Sequence, residues 1–213
     1  MDTNNTMKNR TVSAGQAKGV GSVRYIAVTA MLSAVAFILM FCDFPIPFLI
    51  PDFIEMDVSE LPALIGAFAM GPMCGVLVCL VKNLLHLLIT STGGVGELSN
   101  FLLGASFVLT AGLVYKHKKS RKNAVIGAVL GAAVMAAFSV VSNYFLTYPV
   151  YYNFMSEDMV LALYQAILPS VENILQCLII FNMPFTFVKG LLSAGITFLI
   201  YKHISPILKG TQR

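Results

Sequence analysis

Tryptophan is absent from this sequence and charge is scarce: Asp, Glu, Lys and Arg together make up 11% of its 213 residues. An ordinary soluble domain carries roughly twice that share. With 57% hydrophobic residues and a mean hydropathy of +0.80, a water-exposed globule would have too little polar surface to cover its core. The same figures exclude a disordered chain. Catalytic signatures are missing as well. There is no GxxxxGK[ST] run, so nothing here binds ATP in the Walker manner, and the Gly15–Gly21 stretch lacks the preceding strand and the spacing of a phosphate loop. Neither HExxH nor GxSxG occurs, and no nucleophile–base or metal-ligand set stands out, which argues against an enzyme, a bound metal or a resident cofactor. No inverted repeat with interrupted helices is evident. The cysteines, Cys42, Cys74, Cys79 and Cys177, lack CxxC spacing and lie in or beside apolar runs, so they read as small buried hydrophobes. The basic residues form no stripe interleaved with aromatics, which removes nucleic acid as a partner.

What is present is a series of long apolar runs, and the fold class they imply is an all-α integral membrane protein. About 20 apolar residues are needed to cross the hydrocarbon; the candidates are 24–43, 73–90, 98–115, 123–147 and 183–201. Between the first two lies a shorter run, 60–70, with Ser59 as a candidate N-cap, Pro62 in its first turn and Gly71-Pro72 as its stop. Counting it gives six transmembrane helices. The division is a tail over 1–23, a membrane domain over 24–205 and a second tail over 206–213. The 159–181 stretch, interrupted by Pro169, Glu172 and Asn173, reads as a loop carrying one or two interfacial helices.

Charge placement orients the chain. Twelve of the 14 Lys and Arg fall at the N-terminus, in 116–122, and near the C-terminus, whereas nine of the 10 acids lie elsewhere, mostly in 43–60 and 149–180. Basic segments stay in the cytoplasm, so both termini and the 116–122 loop are expected inside and the acidic segments outside.

On this topology the polar residues of the spans fall at one level, in the outer half. Lys82, Asn83 and His86 come from the third helix, Glu97 and Asn100 from the fourth, Asn143 and Tyr144 from the fifth, and Asn182, Thr186 and Lys189 from the sixth. Ionisable groups at such depth are costly and usually functional. An outward pocket for a polar, neutral or weakly acidic small molecule is the simplest arrangement. Lys82 and Glu97 also read as an ion pair that merely ties two helices, and His86 as a bundle histidine. Tyr144, Tyr148, Tyr151 and Tyr152 read as an interfacial belt or as a stacking surface. The proline-rich segment Asp43–Asp52, which includes Leu49 and Ile50, reads as a lid over the pocket or as a loop resting on headgroups. Small residues four apart (Gly71/Gly75, Gly127/Gly131, Gly190/Ala194) suit close helix contact. Ala30 and Ala34, on an otherwise bulky first helix, suit a meeting with another membrane protein.

Five segments together resemble a known family: Asp57-Val-Ser-Glu-Leu-Pro-Ala-Leu-Ile-Gly66, Gly71-Pro72, Lys82-Asn-Leu-Leu-His86, Gly96-Glu-Leu-Ser-Asn-Phe101 and Pro184-Phe-Thr-Phe-Val-Lys-Gly190. The chain resembles the riboflavin-specific S components of energy-coupling factor (ECF) transporters over roughly residues 24–205. The resemblance implies a six-helix subunit of the bacterial cell membrane that binds riboflavin as transported ligand from outside. It also implies docking, through Ala30 and Ala34, on a transmembrane coupling protein driven by two cytoplasmic ATPases. Asn143 and Lys189 match the family's ligand-holding positions, with Asn83, Glu97, Asn100 and Asn182 as further pocket candidates and Leu49 and Ile50 in the covering loop. Thr186 stands where the family pattern has asparagine, offering one hydroxyl in place of an amide. A sister S component for another vitamin, or an ion-coupled carrier using Lys82, Glu97 or Lys189, are the alternative functions.

Overall fold

Five helices are long and apolar enough to cross a membrane, and the packing among them follows from where the sequence places its small residues. The computed structural model describes residues 23–46, 49–51, 54–90, 93–153 and 155–209. The tail readings for 1–22 and 210–213 lie outside the described residues.

Helix α1 (Val23–Met40) leads to a minimal antiparallel pairing of β1 (Phe44–Pro45) with β2 (Glu55–Met56), in which Phe44 faces Met56. The short helix α2 (Glu60–Met70) follows, and a sharp reversal at Gly71, with φ of +109°, passes directly into α3 (Pro72–His86). That φ suits glycine, and Pro72 is tolerated because the first N–H of a helix has no intrahelical acceptor. A short 3-10 turn, Leu87–Ile89, extends α3. Helices α4 (Val95–His117) and α5 (Arg121–Tyr151) form a hairpin whose second arm is capped by Ser120, the side chain of which accepts from the Asn123 N–H. A surface helix α6 (Glu157–Gln165) precedes the last long helix, α7 (Ile174–Tyr201), which stays helical through Lys209.

Two boundaries differ from expectation. The last long helix begins at Ile174 rather than 183, and the fifth runs to Tyr151 rather than 147. In both cases the helix continues across a proline by widening. A π turn over Asn143–Thr147 precedes Pro149, and another over Leu178–Asn182 precedes Pro184. In a regular helix each proline ring would collide with the carbonyl four residues earlier, Phe145 or Ile180. The wider turn relieves that contact, with the Tyr148 N–H donating to Asn143 O and the Met183 N–H to Leu178 O. Likewise the end of the membrane domain at 205 falls inside a helix.

Helix α2 is the axis of the bundle. Glu60 through Phe68 are all buried, and α2 packs against α1, α3, α4 and α7. Its core neighbours include Val78, Cys79, Phe107, Val108 and Ala111, with Ala128, Ala132 and Ala194 closing the α4–α5–α7 side. The backbones approach so closely that a Cβ at Gly75 would lie 2.7 Å from Ala63 O, and one at Gly131 2.7 Å from Phe107 O. Four of the expected glycine positions therefore make helix contacts, at Gly75, Gly127, Gly131 and Gly190, whereas Gly71 serves the turn. Ala30 and Ala34 lie on the exposed face of α1. The cysteines are all free; three are buried as expected, but Cys42 is exposed, because α1 ends at Met40 and the chain there leaves the bundle.

These contacts set opposite signs for one substitution at two sites. Gly131→Ala should lower the thermal unfolding temperature in detergent, because Phe107 O blocks the new methyl. Gly195→Ala, with nothing within 4 Å of the added atom, should raise it, by up to about 1 kcal/mol from helix propensity.

Candidate ligand-binding cleft

The start of α2 holds four charges in one buried cluster. Asp57 folds back so that its Oδ1 accepts from the Ser59 N–H at 2.8 Å, which leaves Oδ2 to accept from Lys189 Nζ at 2.6 Å. Glu60, fully buried, accepts from Lys82 Nζ through Oε1 at 3.1 Å, and its Oε2 lies 3.9 Å from Lys189 Nζ. Lys82 also donates to Ser59 Oγ. Two ammonium groups thus share two carboxylates, and buried charges are tolerated in this form. Burial opposes ionisation of Asp57, but the ammonium groups of Lys189 and Lys82 outweigh it and hold the carboxyl well below its usual range.

This cluster corrects two readings. Lys82 does not pair with Glu97; its partner is Glu60, twenty-two residues earlier in the chain. Ser59 does not cap α2 with its side chain, because its hydroxyl is committed to Lys82.

Above the cluster a cleft of about 220 Å³ is lined from α1, the β1–β2 segment, α3, α4, α5 and α7. Of the expected site residues, Glu97, Asn100, Asn143, Asn182, Thr186 and Lys189 line it. Asn83 does not: its amide turns back to donate to Cys79 O at 2.8 Å on its own helix. Leu49 and Ile50 are also not among the lining residues. Ile50 is instead fully buried in a second apolar cluster with Tyr164, Val171 and Ile174, while Leu49 is exposed. Their segment reaches the cleft through Asp43, Ile54 and Asp57.

The two π turns aim their asparagines. Asn143 opens the first and Asn182 closes the second, and widened turns of this kind recur at functional sites. Asn143 Oδ1 accepts from Ser99 Oγ at 3.3 Å. Asn182 Oδ1 accepts from Tyr164 OH at 2.7 Å, and Tyr164 in turn accepts from Tyr148 OH at 2.6 Å. Burial pushes the Tyr164 hydroxyl well above the ordinary tyrosine range, so it stays protonated and donates. With both carbonyl oxygens engaged, each asparagine offers its NH₂ to the cleft. Thr186 adds a hydroxyl and Lys189 an ammonium on the same helix as Asn182, four and seven residues along, so all three share one face.

Across the cleft, Glu97 sits in the first turn of α4. Its Oε1 lies 2.8 Å from His86 Nδ1, and its Oε2 accepts from Thr90 Oγ1 at 2.9 Å. His86 packs edge-on against Phe37, with ring centroids 6.5 Å apart. The apolar wall is Met40, Leu103, Met135 and Phe185. A cleft with amide and ammonium donors on one side, hydroxyls and a carboxylate on the other and an apolar wall suits a neutral ligand bearing both carbonyls and hydroxyls. Residues missed by the sequence reading are Asp57, Asp43, Ser99 and Thr147. The Asp-x-Ser-Glu spacing ahead of an apolar run was the available signal for Asp57.

The family profile described as "ECF transporter, substrate-specific component" matches residues 24–201. The chain belongs to the substrate-specific (S) components of ECF transporters. Among relatives of this S component, the riboflavin transporter RibU of Staphylococcus aureus (strain TCH60) is 38% identical over 181 residues, covering 84% of this chain and 89% of that protein. The riboflavin transporter FmnP of Bacillus subtilis (strain 168) is 32% identical over 189 residues, covering 86% and 93%. A solved chain described as "Structure and mechanism of the S component of a bacterial ECF transporter" is 36% identical with a TM-score of 0.68, covering 86% of this chain and 96% of that one. Membership and the apolar helices together make this a multi-pass protein of the bacterial plasma membrane and a transport subunit.

The charge cluster sets the stability of the site. Lys82→Met strands Glu60, which is fully buried, and should destabilise the S component by about 3–5 kcal/mol. The Glu60→Gln/Lys82→Met double variant should recover much of that loss in detergent unfolding. A double-variant loss equal to the sum of the Lys82→Met and Glu60→Gln losses would show that the pair does not couple.

Proposed function

We propose that this S component captures riboflavin from outside the cell and delivers it to an ATP-driven module formed by a transmembrane coupling protein and two cytoplasmic ATPases. The observation that carries the substrate assignment is the cleft's set of donors, in a chain 38% identical over most of its length to a riboflavin transporter. The NH₂ groups of Asn143 and Asn182, the Thr186 hydroxyl and Lys189 face one cleft. The polar edge of a flavin ring carries carbonyl oxygens that such donors satisfy, and its apolar edge fits the Met40, Met135 and Phe185 wall. Glu97 and Asn100 are placed to meet a hydroxylated tail. The β1–β2 segment, which supplies Asp43, Ile54 and Asp57, closes over the ligand. The subunit performs no chemistry; binding and release are its work.

The topology that supports this reading has six crossings, with both termini and the 116–122 loop in the cytoplasm. Helix α2 is 11 residues long, roughly 16 Å at 1.5 Å per residue, and completes a crossing together with the Asp57-Val-Ser segment ahead of it. With α2 counted, the basic clusters fall on one side. The cleft then opens outward and the opposite, nearly uncharged half of the bundle seals it. The exposed face of α1 bearing Ala30 and Ala34 is the docking face for the coupling protein.

Two measurements test this. Protein purified from cells grown with riboflavin should carry a visible flavin band near one per chain; a colourless protein that also fails to quench added riboflavin would transfer the assignment to another vitamin. Replacing Ala30 and Ala34 together by leucine should leave riboflavin binding intact and abolish uptake in cells. Uptake that survives would move the docking face elsewhere.

A further inference from the structure

The charges around the cleft do not favour an anion, although a lysine lines it. Its ionisable lining groups are Asp43, Asp57, His86, Glu97 and Lys189. Lys189 is 2.6 Å from Asp57 and 3.9 Å from Glu60, and Lys82 is 3.1 Å from Glu60, so these two lysines and two carboxylates cancel. Lys189 therefore acts as a hydrogen-bond donor with little charge to spare. What remains on the lining is Glu97, Asp43 and the imidazole of His86. Whether that imidazole is neutral or protonated, the lining sums to a negative value. The N-terminus of α4 would ordinarily attract an anion, since a 23-residue helix directs its positive dipole end there. Glu97 already puts a carboxylate in that first turn; it is 5% exposed and held by His86 and Thr90.

We propose that Glu97 makes the cleft selective for the neutral ligand over its phosphate monoester, with Asp43 at the rim reinforcing the effect. This rests on the riboflavin reading above. A flavin whose ring edge engages Lys189 and Asn143 lays its sugar-alcohol tail along the rest of the lining, where the charged groups are Glu97 with its His86 partner and Asp43. A phosphate monoester carries about −1.5 to −2 charge at neutral pH. It would meet like charge in a partly desolvated cleft, beside a helix whose first turn already carries a carboxylate. The riboflavin hydroxyl at that position carries no such penalty, and Glu97 can accept a hydrogen bond from it.

The test is a paired titration of riboflavin and flavin mononucleotide against purified protein in detergent, read by quenching of flavin fluorescence. Flavin mononucleotide should bind at least about tenfold more weakly, the scale of one like-charge contact at an intermediate dielectric, and the gap should narrow as salt is raised. Glu97→Gln keeps an acceptor for His86 and removes the charge; it should shrink the affinity ratio several-fold, and Glu172→Gln, an exposed carboxylate outside the cleft lining, should not. A purely structural role for Glu97 would weaken both ligands together and leave the ratio fixed. Should Glu97→Gln disrupt the first turn of α4, Asp43→Asn at the exposed rim removes a charge without touching that helix. Equal binding of the two flavins, or a ratio that neither the substitutions nor salt can move, overturns the proposal while leaving riboflavin capture standing. Failure of wild-type protein to bind riboflavin at all overturns the functional reading and this inference with it.

Discussion

The neutral cluster of Asp57, Glu60, Lys82 and Lys189 is the interaction on which the rest of this structure depends. Each of its lysines is on a different long helix, and both carboxylates are at the start of α2. A single unpaired charge at this depth would be expensive. Four charges in mutual contact are not, and their joint requirement for partners draws α3 and α7 to the same end of α2. The cluster thereby fixes where α2 starts and where the covering segment ends. It also sets the floor of the cleft. Because Lys189 belongs both to the cluster and to the lining, replacing it would remove a donor from the cleft wall and Asp57's partner together.

The second constraint is local. Pro149 and Pro184 lie inside long helices that neither stop nor kink sharply at them. Each helix accommodates its proline with a π turn. An extra residue in a turn rotates everything beyond it about the helix axis relative to a regular α-helix. Asn143 and Asn182, at the ends of the two turns, line the cleft from neighbouring helices, and Tyr148, Tyr164 and Asn182 form a continuous hydrogen-bonded chain. The chain ties α6 to both long helices, so the surface helix acts as a brace for one of the ligand's expected donors.

The bundle divides by chemistry along its length. At the cleft end, helices are held apart by polar side chains and a second apolar cluster under the β1–β2 segment. At the other end, glycine and alanine bring backbones into direct contact, as at Gly75 on Ala63 and Gly131 on Phe107. Hydrophobic surface gains little from burial in lipid, so close packing of small residues is what holds that half together. The consequence is an opening at one end and a tight seal at the other. Ala30 and Ala34 are the counter-example that marks a surface: small residues, but exposed.

The membrane class, most of the span positions, the tight contacts at glycine and six of the cleft residues were legible in the sequence alone. These depend on hydrophobic run length, on side-chain size and on position along a helix, all of which are local properties. Glu97, Asn100, Asn143, Asn182, Thr186 and Lys189 could be placed because each lies at a recognisable depth within an apolar run. Pairing was not legible. Asp57 meets Lys189 across 132 residues and Lys82 meets Glu60 rather than Glu97, because Coulomb energy follows distance through space and not along the chain. Asn83 shares the depth of the cleft residues but turns onto its own helix, and Ile50 packs into the apolar cluster beside the cleft, choices that neighbouring side chains make. The start of α7 was misread for a related reason. Pro169, Glu172 and Asn173 do lie between helices, but the last helix begins directly after them at Ile174 and continues past Pro184 on its π turn. Composition and periodicity determined that this chain is a membrane bundle with a polar level; only the tertiary structure decided which polar groups satisfy each other and which are left to face a ligand.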